Sequence, residues 1–303
     1  MTQTFAIYGD IPRGLVEVPP GSLQFSPLMP GSARMMDYAP GSIAGAIVYA
    51  PPGTLERRYV LARMLTALSV GAPLTALAPK DKGGSRIAGD LEAFGCDVQE
   101  ASRAHHRIVT TTRRATLHGL DEAIAAGGLQ QHPTHGLWTH PGVFSWDRID
   151  VGSALLLKHL PSFRGRGADL GGGIGVLSLQ VLGSEKVTEL TLVDIDRRAI
   201  TAAKKNLIDA RAQFIWADVR SDHMPLHDLD FVVMNPPFHD AGIEDQTLGQ
   251  TFITRTAAML KTGGQLWLTA NRHLPYEALL RAHFKQVALV AEADGFKIFT
   301  AEK

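Results

Sequence analysis

Short apolar runs alternate with amphipathic stretches along most of the chain. Ala46–Ala50 reads as a β-run. Thr54 then caps a helix carrying Leu55, Leu61, Leu65 and Leu68, with Glu56 in the first turn, where the helix dipole favours an acid. Leu74–Ala78 is predicted as a strand, Ser85–Phe94 as a helix stopped by Gly95, and Ile108–Thr112 as a strand. A second series begins with a helix at Val151–Leu160. It continues with strand Gly167–Leu170, helix Ile174–Leu182, strand Leu190–Val193, helix Arg197–Leu207, strands Phe214–Ala217 and Phe231–Met234, a helix near Thr247–Leu260 and strand Gln265–Ala270. Strands separated by helices predict parallel α/β sheets. Asp294-Gly295 between the runs Val287–Ala291 and Phe296–Ala301 predicts a hairpin turn, so the second sheet finishes with an antiparallel pair.

Two stretches break the pattern. Residues 1–44 are rich in Pro and Gly, which predicts irregular coil with short edge strands, either a loosely packed arm or a lid that meets substrate. Residues 127–150 contain Gly127-Gly128, His132-Pro133, His135-Gly136 and His140-Pro141-Gly142. A domain boundary is placed there, giving domains 1–130 and 131–303.

At 303 residues, with 45% hydrophobic and 20% charged positions, the chain is an ordinary globular mixture rather than a disordered or fibrous one. Thirty basic residues balance thirty acidic ones, and the balance holds up to Asp150, so no strongly basic nucleic-acid coat exists. Any nucleic-acid role must rest on a local patch. The best candidate is 102–118, with Arg103, Arg107, Arg113, Arg114, three histidines and no acid. A single cysteine, Cys96, excludes a disulfide framework and a Cys-rich zinc site and suits a cytoplasmic location. His132, His135 and His140 lack the carboxylates or thiols that would make them a metal site, so no metal is expected. No 18-residue apolar run and no basic-then-apolar leader appear, which argues against a membrane span or a secretory signal.

The chemistry concentrates in the second half. Asp169-Leu-Gly171-Gly172-Gly173-Ile-Gly175 follows an apolar strand and opens a helix. Glycines permit a tight turn and close approach of a ligand. Asp169 would repel a pyrophosphate but suits a cationic or amine-bearing ligand. Asp194 ends the next strand, where a ribose-binding carboxylate belongs. Asp218 ends the strand after that and can accept from an adenine amine. Together these acids describe a nucleoside with an amine-bearing tail, as in S-adenosylmethionine. Asp196 rivals Asp194, but its position before Arg197 makes it the better helix cap.

Phe231-Val-Val-Met234 runs directly into Asn235-Pro236-Pro237-Phe238. The prolines end the ladder and hold Asn235 at the strand tip. The Asn235 amide oxygen and the Pro236 carbonyl can accept both protons of a planar exocyclic amine and stabilise charge developing on its nitrogen. Phe238 can stack on a flat base. With the acidic glycine turn upstream, this is the signature of an amino-group methyltransferase. His239-Asp240 either positions the base or merely forms the loop.

Residues 141–303 resemble the bacterial ribosomal-RNA guanine-N2 methyltransferases, of the small-subunit methyltransferase C type and its large-subunit relative. The matching stretches are Pro141-Gly-Val-Phe-Ser145, Asp150-Val-Gly-Ser153, Asp169–Ser178, Asn235-Pro-Pro-Phe-His-Asp240 and Asn271-Arg-His-Leu-Pro-Tyr276. The N-terminal half resembles the family's inactive, duplicated methyltransferase-like domain only around Lys82-Gly83-Gly84-Ser85-Arg86 and the helix before it. The resemblance implies a Rossmann-like S-adenosylmethionine-dependent methyltransferase domain preceded by a second, degenerate α/β domain that lacks a cofactor motif and is a candidate for RNA contact. It implies methylation of guanine N2 in ribosomal RNA or a ribosomal subunit, by direct transfer onto a flipped or single-stranded base. Asn235, Pro236 and Phe238 would hold the base. Asp169, Gly171, Gly173, Gly175, Asp194 and Asp218 would hold the donor, and Phe144 would lie near the donor pocket. Gly172 stands where the family commonly has Cys, a change expected to be harmless, and Ala241 stands where Gly is frequent. The alternative readings are methylation of a protein glutamine or another nucleic-acid amine, and a non-catalytic ribosome-assembly protein. A nicotinamide dehydrogenase would leave the Asn-Pro-Pro turn unexplained.

Overall fold

A computed structural model describes residues 4–237, 239–240, 243–244 and 246–303. The chain divides into two compact units: residues 1–130 with 140–142, and residues 131–139 with 143–303.

The first unit contains strands β1 (Thr4–Tyr8), β2 (Leu23–Gln24) and β3 (Ile43–Tyr49), helix α1 (Thr54–Ala67), strand β4 (Pro73–Pro79), helix α2 (Ile87–Ala93), strands β5 (Gln99–Arg103) and β6 (His106–Thr112), and helix α3 (Leu120–Gly127). Its sheet order is β2-β1-β3-β4-β6-β5. The first four strands are parallel, while β6 runs antiparallel to both β4 and β5. The all-parallel expectation fails here because β5 returns to β6 through a two-residue tip, Ala104-His105, both at positive φ. Residues 1–44 supply a two-residue edge strand, β2, as expected, but not a loose arm: β1 is interior to the sheet, and Phe25 and Leu15 are buried. Gly53, not Thr54, is the N-cap of α1.

The second unit contains the short strands β7 (Gln130–Gln131) and β8 (Trp138–Thr139), helix α4 (Val151–Leu157), strand β9 (Gly165–Leu170), helix α5 (Val176–Leu182), strand β10 (Val187–Asp194) and helix α6 (Arg197–Asn206). Strands β11 (Ala212–Trp216), β12 (Leu229–Met234), β13 (His239–Asp240) and β14 (Ile243–Glu244) follow, then helix α7 (Gln246–Met259), strand β15 (Leu260–Asn271), helix α8 (Glu277–His283) and strands β16 (Gln286–Ala293) and β17 (Phe296–Glu302). The main sheet has the order β11-β10-β9-β12-β15-β17-β16. It is parallel through β15 and antiparallel in its last two pairings. Asp294 and Gly295 take φ of 52° and 82°, as the expected hairpin turn requires.

The continuous apolar run of β12 follows from burial on both faces. Val232 and Met234 enter one core with Leu248, Phe252 and Leu280, while Phe231 and Val233 enter the other with Leu156, Val181 and Ile200. Chain order reverses at β9, between β10 and β12, so the carboxyl ends of these strands flank the crevice where ligands bind in such sheets.

Candidate active site

The glycine turn lies at the carboxyl end of β9. Gly171, Gly173 and Gly175 have φ of 69°, 55° and 91°, a region that side-chain-bearing residues rarely adopt. Gly172 has a different constraint. A Cβ there would sit 2.6 Å from Leu192 Cγ and 3.0 Å from Asp169 Cγ. Glycine is accommodated at this point, whereas a cysteine would require Leu192 to shift.

Asp169 is fully buried. Its Oδ2 accepts from Ser178 Oγ at 2.6 Å, while buried Oδ1 has no partner. Desolvation, reinforced by the nearby charge of Asp194, raises its pKa to about 7. Asp194 closes β10. Its Oδ2 accepts from Gly173 N at 2.8 Å and its Oδ1 from Asp196 N at 2.7 Å, and desolvation lifts its pKa to about 6. Asp196 caps α6 by accepting from Arg198 N and is paired with the Arg198 side chain.

Asn235 follows β12, one residue beyond the pairing of Met234 with Leu170. This brings the Asn-Pro-Pro turn beside the glycine turn. Asn235 Nδ2 donates to Asp150 Oδ2 at 2.8 Å and to Ser153 Oγ at 2.9 Å. Asp150 Oδ2 also accepts from Ser153 N at 2.8 Å, as the N-cap of α4. A carboxylate only accepts hydrogen bonds, so the amide nitrogen must face Asp150 and Oδ1 is the acceptor left to present. Pro236 is buried.

One cavity is lined by Phe144, Asp150, Ser153, Asp169, Gly171, Gly172, Gly173 and Asn235, together with Ser145 and Arg148. Phe144 is 62% exposed. Thus Phe144, Asp169 and two of the predicted glycines meet Asn235 in one place. Gly175 caps α5, and Asp194 stands behind the wall, reaching the cavity through its bond to Gly173. Asp218 does not line the cavity. Arg220 donates to both of its oxygens through Nε at 2.9 Å. Burial alone would raise the Asp218 pKa, but these bonds outweigh it and hold the carboxyl below its usual range. Phe238 lies outside the described residues, as do the side chains of His239 and Asp240.

Asp150, Ser153 and Ser178 received no individual role from the sequence reading. The Asp-x-x-Ser spacing at the start of a predicted helix was the available signal, since an N-cap acid and its third neighbour share one turn. Conversely, 102–118 is acid-free only in sequence. Arg107 pairs with Glu100 at 3.3 Å and Arg114 with Asp97 at 3.3 Å, both from just upstream. Arg113 donates to the carbonyls of Leu65 and Arg114. The three boundary histidines do not converge either: His132 and His135 stack on each other, whereas His140 is buried against Tyr59. Among the described residues no three His, Cys, Asp or Glu are grouped to hold a metal ion. Nor is any described helix long and apolar enough to cross a membrane.

Residues 134–300 match the family model of the methyltransferase small domain. The chain is 32% identical to the ribosomal RNA small subunit methyltransferase C of Pseudomonas paraeruginosa, over 92% of this chain and 86% of that protein. It is 29% identical to the Erwinia tasmaniensis protein of the same name, over 85% and 75% of the two chains. Among solved structures, it is similar to a T. thermophilus 16S rRNA N2 methyltransferase in complex with AdoMet and guanosine. The TM-score is 0.74 at 26% identity, covering 89% of this chain and 76% of that one. With the cavity, the sheet order and these likenesses in agreement, the chain belongs to the methyltransferase small-domain family, among the ribosomal RNA small subunit methyltransferase C proteins.

Proposed function

We propose that this protein transfers a methyl group from S-adenosylmethionine to the exocyclic N2 of a guanine in ribosomal RNA, in the cytoplasm. Residues 131–303 carry the reaction, and residues 1–130 form a methyltransferase-like domain without a donor site. The observation that carries this reading is the orientation of the Asn235 amide, acceptor end outward, in the same cavity as the buried carboxylate of Asp169.

The residues fit the donor. Asp169 holds a buried oxygen without a partner, which a ligand ammonium would satisfy. We assign Asp194, at the end of β10, to the ribose hydroxyls, Asp218, once released from Arg220, to the adenine edge, and Phe144 to apolar contact. When bound, the donor supplies an electrophilic methyl group on a sulfonium. The protein then has to present the nucleophile. A guanine amine is a poor one because its lone pair is delocalised into the ring. Asn235 Oδ1 and the Pro236 carbonyl accept its two protons, fix the nitrogen for in-line attack and favour the positive charge that develops there. Phe238 supplies a face for the base. Once the donor has given up its methyl group it would leave as a neutral thioether, and the exocyclic nitrogen would return to neutrality by losing one of its two protons to solvent.

Incubating ribosomal RNA with methyl-labelled donor, followed by nucleoside analysis, tests the reading. The label is expected in N2-methylguanosine. Asn235→Ala should lower the rate by at least roughly 100-fold while donor affinity stays nearly unchanged. Undiminished transfer by that variant, or label on another base, would overturn the assignment. Mapping modified guanines in ribosomal RNA from cells with and without the protein locates the target.

A further inference from the structure

The amide of Asn235 is held by two residues to which the proposed mechanism gives no role. Both amide hydrogens are engaged, one by the Asp150 carboxylate and one by the Ser153 hydroxyl. The same Asp150 oxygen accepts the backbone N–H of Ser153, so a single atom joins the first turn of α4 to the tip of β12. Packing restrains that turn. A Cβ on Gly152 would lie 2.7 Å from the Phe296 ring and 3.1 Å from Asp150 Oδ2, so α4 begins in close contact with β17.

We infer that Asp150, assisted by Ser153, is a positioning residue that sets the polarity of the Asn235 amide and so makes the site selective for an amine. This inference rests on the proposed role of Asn235. The argument is one of donors and acceptors. With Asp150 ionised, a flipped Asn235 would put its oxygen against a carboxylate oxygen and its NH2 toward the substrate amine. That state has an acceptor facing an acceptor inside the protein and a donor facing a donor at the substrate. The observed state has neither conflict. The carboxylate also polarises the amide, because a charge-assisted bond at its nitrogen draws the hydrogens and leaves Oδ1 more negative. Oδ1 is the atom that accepts from a nitrogen becoming positive, so the effect belongs to the transition state more than to the ground state.

Helix capping and amide positioning require different things of residue 150, which separates the two roles. Serine is a good N-cap but too short to bridge to Asn235, whereas asparagine can cap and also offer a neutral acceptor. The experiment measures kcat and KM on ribosomal RNA, donor affinity by calorimetry and thermal stability for Asp150→Ser, Asp150→Asn, Ser153→Ala and, as reference, Asn235→Ala. Asp150→Ser is expected to keep its melting temperature and donor affinity but to lose at least tenfold in kcat. Asp150→Asn should recover most of that loss, and Ser153→Ala should show a smaller loss confined to kcat. A fully active Asp150→Ser beside an inactive Asn235→Ala would overturn this inference alone, leaving Asp150 as a cap. So would a loss that appears equally in donor affinity and stability. A fully active Asn235→Ala would instead remove the reading of the Asn-Pro-Pro turn, and this inference with it.

Discussion

The two units run the same sheet twice, with different residues at the places where chemistry would occur. In the first, the order β2-β1-β3-β4-β6-β5 carries parallel pairings up to β4 and antiparallel ones after it; in the second, β10-β9-β12-β15-β17-β16 does the same, with β11 added outside. β3 is followed by Ala50-Pro51-Pro52-Gly53 where β12 is followed by Asn235-Pro236-Pro237. Tyr8 pairs with Val48, two residues before Ala50, as Asp169 pairs with Val233, two residues before Asn235. Thus tyrosine and alanine occupy the positions of the acid proposed to bind the donor and the amide proposed to bind the amine. At the end of β2, Gln24 resembles Asp194 in bonding to the backbone of a turn glycine, since its Oε1 accepts from Gly9 N at 3.2 Å. But its Nε2 also donates to Gly9 O, and the Phe25 and Ser26 N–H groups donate to its Oε1. The neutral side chain is committed to the fold.

The comparison shows which residues the architecture needs and which it merely tolerates. The two prolines and the tie at the strand end persist in both units, so they serve the turn. The acid and the amide occur only in the second unit, and the acid is costly there: Asp169 is buried with an unmet oxygen and a pKa near 7. Its stabilising contribution, as the neutral acid, is fully present below the ordinary carboxylate range and is lost as pH rises through about 7. A bound cation would offset that loss.

The largest expected asymmetry is in donor binding. Asp194→Ala should weaken donor affinity roughly 100-fold by removing a charged partner, whereas Gln24→Ala should leave it unchanged and cost about 1–2 kcal/mol of stability through lost hydrogen bonds. Calorimetry and denaturant melts on both variants check this, and a Gln24→Ala effect on donor affinity would break the comparison. Next comes pH. An ammonium on the donor would favour ionised Asp169, so affinity should fall by up to about tenfold per unit as pH drops below about 7, with a proton released on binding in that range. Titrations in buffers of different ionisation enthalpy would detect that proton.

A smaller effect is expected for Gly172→Cys, which should destabilise the second unit by about 1–3 kcal/mol through overpacking against Leu192. Leu192→Ala in the same chain should relieve the crowding, read as a partial recovery of melting temperature. The smallest is Asp97→Ala. It removes the exposed partner of Arg114 and should change stability by less than about 1 kcal/mol, while freeing a cation that strengthens RNA retention at low salt.

Much of this site is legible in the sequence because its residues are contiguous. Asp169 through Gly175 form one turn and Asn235 through Pro237 another, and strand-end positions bring both to one edge. The antiparallel return of β6 was not legible, since Ala104-His105 carries none of the usual signals for a tight hairpin. The neutralised arginines escaped notice because Glu100 and Asp97 sit just outside the acid-free window and become partners only when β5 pairs with β6. Asp150 directly precedes a predicted helix, a position that favours a cap, but its bond to Asn235 spans 85 residues and needs the folded sheet to appear.

The number of donor sites per chain tests the central claim most directly. Calorimetric titration of the whole protein with S-adenosylmethionine should give one site per chain, and Asp169→Asn should abolish it at the same donor concentrations. Two sites, or a site that survives in Asp169→Asn, would contradict the assignment of donor binding to the second unit alone.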